Sequence, residues 1–171
     1  CSRFNTCDEN GDSVANTALF ELLEKGKEFL GKAQCSQAQE LLDSKILPLL
    51  QVPLVQSTLY NSILDDTSED DASGTQSAIG HIFAQSILPV VDEANTQSGL
   101  TIAEVFHSPL EPITTPYDTE AVFDAFKYAL PKMNIDCHSL GHSVDRPDLS
   151  LCLEFDLPAS VENHANIALD V

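Results

Sequence analysis

A leucine–proline pattern recurs three times at nearly equal intervals, and it constrains the fold more than any other feature of the chain. Pro48, Pro89 and Pro131 lie 41 and 42 residues apart, and each directly follows a leucine. Twelve residues before each proline stands a serine or threonine, a residue type that caps helix N-termini. Such self-similarity is typical of helical units that stack to bury a shared core. The three predicted capping residues are Ser36, Ser77 and Thr119.

The apolar spacing predicts a mostly all-α protein. An N-terminal helix over 14–33 is expected to bury Leu23 and Leu30 with its other leucines. Each unit is interpreted as a helical hairpin whose first helix is kinked or ended by its proline, because proline lacks an N–H and crowds the preceding turn. The alternating residues of 150–157 predict one short strand near an irregular, disulfide-tied C-terminal end. The units either stack as a solenoid or fold back as a bundle.

We expect the whole chain, residues 1–171, to form a single domain, because its length suits one core of ordinary size. In chain order, the predicted segments are a disulfide-pinned lead-in (1–13), a helix (14–33), unit one (36–65), an acidic linker (66–75), unit two (77–106), a proline-rich connector (107–117), unit three (119–134) and an irregular C-terminal segment (135–171).

The chain is strongly acidic, with 27 Asp and Glu residues against 8 Lys and Arg and a formal net charge of −19. No lysine or arginine occurs between Ile46 and Phe126. This charge argues against binding to nucleic acid or to anionic membranes and favours basic protein partners. The carboxylates of Asp65–Asp71 could also bind Ca²⁺ weakly. No apolar run approaches the ~20 residues of a transmembrane helix.

Five cysteines predict disulfides and an oxidising compartment. The odd number leaves one thiol free or paired between chains, which would permit a covalent link between subunits. Because the sequence begins with Cys1 rather than Met, we expect an extracytoplasmic or secreted protein whose signal peptide is removed before Cys1, with a lipoprotein or a fragment as alternatives. The disulfide candidates are Cys1, Cys7, Cys35, Cys137 and Cys152.

The densest group of reactive side chains lies near the C-terminus and has two interpretations. Cys137, His138 and His142 could bind Zn²⁺ with Cys152 or Asp145 as the fourth ligand, and the two histidines would share one helical turn. Alternatively, Cys137 and Cys152 form a disulfide, which would be worth about 3 kcal/mol in the chain-entropy model. The disulfide suits the expected compartment better.

The sequence contains no phosphate-binding glycine loop, no G-x-S-x-G motif and no H-E-x-x-H motif. We therefore expect a non-enzymatic extracellular structural or interaction protein without a cofactor, either a subunit of a larger assembly or a binding module. Its expected partners are proteins, by self-assembly or through a basic protein. The alternative is a zinc-binding or metal-dependent protein that uses the Cys137, His138 and His142 cluster.

Overall fold

The computed structural model describes residues 1–67, 75–106 and 117–152. Within these ranges the protein is built from α-helices, which confirms the predicted fold class. The predicted strand over 150–157 lies outside the described residues from 153 onward, and its described part ends in a bend. The helices are α1 (Val14–Gly31), α2 (Cys35–Leu41), α3 (Leu47–Thr67), α4 (Thr75–Ala94), α5 (Thr96–Val105), α6 (Thr119–Ala129) and α7 (Cys137–Leu140), with a 3-10 turn at Ser2–Phe4 and a π-helical turn at Leu42–Ile46.

The main core lies among α3, α4, α5 and α6, which pack on one another in succession. It combines aliphatic side chains with a few phenylalanines, and the chain contains no tryptophan. The rings of Phe106 and Tyr117 meet at a centroid distance of 4.6 Å. Gly80 allows Phe106 to approach α4, since a Cβ there would lie 3.1 Å from the ring. The largest fully buried side chains include Phe106, Phe126, Leu59, Ile63, Ile87, Ile102 and Leu130.

The helical irregularity predicted at Pro48 takes the form of a π-helical turn. The N–H of Leu47 donates to the carbonyl of Leu42, five residues back rather than four. The wider turn makes room for the proline ring, which would crowd the carbonyl of a regular helix. The chain then continues as α3, which also runs through Pro53 without a break. The two helices expected in unit one are therefore joined without a loop at these prolines.

All three predicted helix caps are wrong. Ser77 lies inside α4, which begins at Thr75. The N-cap of α2 is Gln34 rather than Ser36, and the N-cap of α6 is Asp118, whose carboxylate accepts from the N–H of Ala121 at 3.0 Å. The hydroxyl of Thr119 instead donates to the carbonyl of Ser62 in α3 at 3.0 Å, in a buried position. The side chain of Thr119, which the local sequence pattern predicts to cap α6, is therefore used in a contact between α3 and α6.

The helices α1 and α2, with the π-helical turn, form what we call the N-terminal hairpin (residues 14–46). It has its own small apolar cluster, in which Leu22, Leu41 and Ile46 are buried. Leu22 is the buried side chain of α1. The prediction that Leu23 and Leu30 face the core is wrong, since both are exposed.

Candidate functional site

Two disulfide loops mark the two chain ends that the structure describes. Cys1 is bonded to Cys7 and Cys137 to Cys152, with Cα–Cα distances of 5.0 and 5.4 Å. The C-terminal segment is therefore tied as the disulfide interpretation predicted. Cys35 is a free, exposed thiol at the start of α2. Two disulfides are typical of a protein from an oxidising, extracellular environment.

The two disulfide loops pack against each other through their backbones. The carbonyl of Phe4 accepts from the N–H of His142 at 3.1 Å, and the carbonyl of Arg3 accepts from the N–H of Val144 at 2.9 Å. Phe4 itself is buried in the main core. The first few residues therefore hold the segment that follows α7 in place.

Side chains reinforce this contact on both sides. Arg3 forms an ion pair with Asp145 at 3.3 Å, and its guanidinium lies 5.4 Å from the ring centroid of Tyr60. The amide of Gln56, on α3, donates to the carbonyl of Leu140 at 3.0 Å and to the hydroxyl of Thr6 at 3.3 Å. These contacts join α3 and both loops.

The imidazole of His138 lies against the second disulfide. Its Nδ1 is 3.6 Å from Sγ of Cys137, and both ring nitrogens are 4.0 Å from Sγ of Cys152. One carboxylate oxygen of Asp136 lies 3.0 Å from Nδ1 of His138 and also accepts a hydrogen bond from the backbone N–H of His138. Potential ligand atoms of Cys137, His138 and Cys152 all lie within 4.8 Å of one another, which is a spacing that could hold a metal ion.

This cluster borders a cleft of about 300 Å³. The two cysteines are half-buried and His138 is exposed, so solvent reaches the group. The other side chains that line the cleft include Phe123, Ser143, Pro147, Leu149 and Leu151.

Two of the predicted metal ligands lie outside the cluster. His142 lines the same cleft, but α7 ends at Leu140 and Gly141 adopts φ 71°, so the expected placement of both histidines on one helical turn is wrong. Asp145, the alternative fourth ligand, pairs with Arg3 instead. The acidic segment 65–71, expected to bind Ca²⁺ weakly, lies outside the residues whose side chains are described.

A second feature is an exposed apolar stripe on α1, formed by Phe20, Leu23 and Leu30. These side chains are 70%, 47% and 62% exposed. With Lys27 between them, they follow a 3–4–3 spacing, which is the pattern of a seam between two packed helices. The sequence did not predict this stripe, because helical spacing places all leucines of α1 near one face. The signal was present in the sequence, because the apolar residues of α1 cover a wider surface than one face of an amphipathic helix can bury.

Comparisons of the chain with protein-family models, with curated proteins and with solved structures found no match. Among the described residues, no helix combines the length and the apolar character needed to cross a bilayer. Within the described residues, the disulfide–histidine cluster and the apolar stripe are the two features that bear on function.

Proposed function

We propose that the protein is a non-enzymatic extracellular structural or interaction protein that associates with a second copy of its own chain through α1. The apolar stripe of Phe20, Leu23 and Leu30 carries this proposal. Three large apolar side chains exposed on one line of a helix are costly in water, and burying each fully contributes about 1.5–3 kcal/mol. The seam-like spacing favours another helix as the occupant, and α1 of a second copy has the matching pattern.

The charge distribution also favours contact through the N-terminal hairpin. Residues 14–45 carry four lysines and five acidic residues, whereas the long central part of the chain has no lysine or arginine up to Phe126. Two copies that met through their acidic parts would repel each other. The cation within the stripe, Lys27, is paired with Glu24 at 3.1 Å, so a second copy would meet a nearly neutral surface.

Sedimentation velocity over a concentration series tests this proposal. The Cys35→Ser variant is the reference, because it removes covalent dimers through the free thiol. We expect reversible dimers of this variant, and we expect Phe20→Asp or Leu30→Asp to weaken dimerisation about ten- to hundredfold through the lost apolar burial.

The matched control is Leu100→Asp on α5, where an apolar side chain is 51% exposed outside the stripe. This substitution should leave dimerisation unchanged. A reference protein that stays monomeric at all concentrations would contradict the proposal, and so would an equal effect of Leu100→Asp.

The second candidate function is zinc binding by Cys137, His138 and Cys152, which is favoured by the convergence of their ligand atoms. Zinc binds thiolates, and in the disulfide the two sulfurs are bonded to each other. The site would therefore form only after reduction, with water or a nearby carboxylate as the fourth ligand. Two thiolates and one imidazole suit Zn²⁺ better than Ca²⁺, which prefers oxygen ligands.

Native mass spectrometry of the reduced protein with added Zn²⁺ tests this second candidate. A bound ion adds about 65 Da. His138→Ala should lose the ion, whereas His142→Ala should retain it, since His142 lies outside the group. If zinc binds equally well to the reduced wild-type protein and the His138→Ala variant, the assignment of this site is wrong.

A further inference from the structure

The apolar stripe on α1 contains one charged residue, and this residue distinguishes the two ways in which two copies could meet. In heptad spacing, Phe20 and Lys27 occupy a positions, and Leu23 and Leu30 occupy d positions. The ammonium group of Lys27 lies 3.1 Å from the carboxylate of Glu24, and the two side chains are 76% and 73% exposed. Both charges are therefore within reach of a second helix that covers the stripe.

The neighbouring face of α1 packs inside the N-terminal hairpin. Leu22 is buried there, and a Cβ at Gly26 would lie 3.7 Å from Cδ2 of Leu41 in α2. Because an α-helix turns by about 100° per residue, the stripe lies roughly a quarter turn away from this face. The hairpin therefore leaves the stripe uncovered, and a partner helix would lie beside α2 without displacing it.

A parallel pairing of two α1 helices would place identical residues opposite each other. Lys27 would then face Lys27 of the second copy across an apolar seam. Two ammonium groups at this distance repel each other, and the repulsion grows as the seam excludes water. A parallel seam therefore brings together the one pair of side chains in the stripe that disfavours contact.

An antiparallel pairing centred midway between Leu23 and Lys27 avoids this repulsion. Phe20 would then face Leu30 of the second copy, and Leu23 would face Lys27. Glu24 of the second copy would lie about 1.5 Å along the helix axis from Lys27, a separation of one residue. Each lysine would meet a carboxylate from either chain, so the charges at the centre of the seam would balance.

We propose that two copies associate through antiparallel α1 helices, in which Phe20 packs on Leu30 of the second copy and Lys27 lies beside its Glu24. This inference rests on the association proposed above and specifies the surface that each copy presents to the other.

Disulfide trapping in the full chain tests the orientation. Phe20→Cys and Leu30→Cys are each made in the Cys35→Ser background, and covalent dimers are followed in a glutathione buffer by non-reducing electrophoresis and peptide mass spectrometry. In the antiparallel pair, two copies of residue 20 are about 15 Å apart along the axis, as are two copies of residue 30. A disulfide spans at most about 7 Å between Cα atoms.

We therefore expect an equimolar mixture of the two variants to form the 20–30 disulfide about tenfold faster than either variant forms a covalent dimer alone, because the paired helices raise the effective concentration of the two thiols. The matched control is Leu100→Cys in the same background, at an exposed apolar position on α5. Its covalent dimers report the rate of random collision.

Faster trapping in each variant alone than in the mixture would overturn the antiparallel arrangement and indicate a parallel one, with the association itself retained. Trapping no faster than in the Leu100→Cys control would also overturn it. In that case, sedimentation velocity of the Cys35→Ser protein separates the two failures: dimers would mean that another surface associates, and monomers would mean that the proposed association is wrong as well.

Discussion

At the scale of single residues, Gly141 connects the two ends of the described chain. Its φ of 71° and ψ of −159° lie in a region open almost only to glycine. A Cβ at this position would collide with the carbonyl oxygen of Phe4, the same atom that accepts from His142. The absence of a side chain therefore allows the N-terminal loop to dock against the segment after α7.

Gly141→Ala should lower the free energy of unfolding by about 2–4 kcal/mol, through backbone strain and the lost docking hydrogen bond. Urea denaturation measures this change. The control is Gly11→Ala, where φ is also positive, 88°, but a Cβ would meet open space. The control should cost only about 1 kcal/mol. Equal losses for both variants would show that contact with Phe4 does not matter.

Asp8 gives a prediction about pH. The backbone N–H groups of Asp12 and Asn10 donate to its carboxylate at 2.8 and 2.9 Å, and these bonds lower its pKa below the ordinary 3.8. Since the folded pKa lies below the unfolded one, the carboxylate stabilises this loop above about pH 4, and the contribution is lost as the pH falls through the folded pKa. Carboxyl NMR should give a midpoint below 3.8 for Asp8. A midpoint at or above that value would contradict the hydrogen bonding.

At the scale of elements, Pro53 stands inside α3 and is exposed. Pro53 has no N–H to donate to the carbonyl four residues back. A proline inside a helix destabilises it by about 3 kcal/mol. Part of this cost is offset because proline also lowers the conformational entropy of the unfolded chain. Pro53→Ala should therefore raise the free energy of unfolding by about 1–2 kcal/mol. Thermal and urea denaturation check this expectation. A destabilised variant would mean that α3 is shaped around this proline.

Elements could be predicted from the sequence where short-range periodicity decides the outcome. The leucines of α1 repeat at helical spacing, so its existence and limits followed from neighbouring residues. Caps were harder to predict, because Asp118 and Thr119 are both residue types that cap helices. The hydroxyl of Thr119 is engaged in a hydrogen bond to α3, so Asp118 caps α6 instead. Which leucines of α1 face the core was also undetermined, since this depends on where α2 lies.

The same distinction applies to the candidate site. Both interpretations of the sequence placed Cys137 and Cys152 together, either as zinc ligands with His138 and His142 or as a disulfide, and the structure has the disulfide. The removal of His142 from this group could not be predicted. It follows from the conformation of Gly141 and from a hydrogen bond to Phe4, a residue at the opposite end of the described chain.

At the scale of the whole molecule, charge sets the conditions for association. The net charge of −19 makes two copies repel each other, while the N-terminal hairpin is nearly neutral. Salt screens repulsion between charges on the solvent-exposed surface but leaves apolar contact intact. Dimerisation through α1 should therefore become several-fold tighter between about 0.02 and about 0.5 M NaCl. Sedimentation equilibrium measures this trend, and dimers that weaken with salt would indicate an interface held by ion pairs.

Hydrogen–deuterium exchange of the Cys35→Ser protein at low and high protein concentration tests the proposed function most directly. Association through the apolar stripe predicts that amides of α1 (Val14–Gly31) exchange more slowly at high concentration, whereas those of α5 and α6 do not change. Exchange that is independent of concentration throughout the chain, or slower exchange confined to other helices, would contradict the proposal that α1 is the surface through which this protein associates.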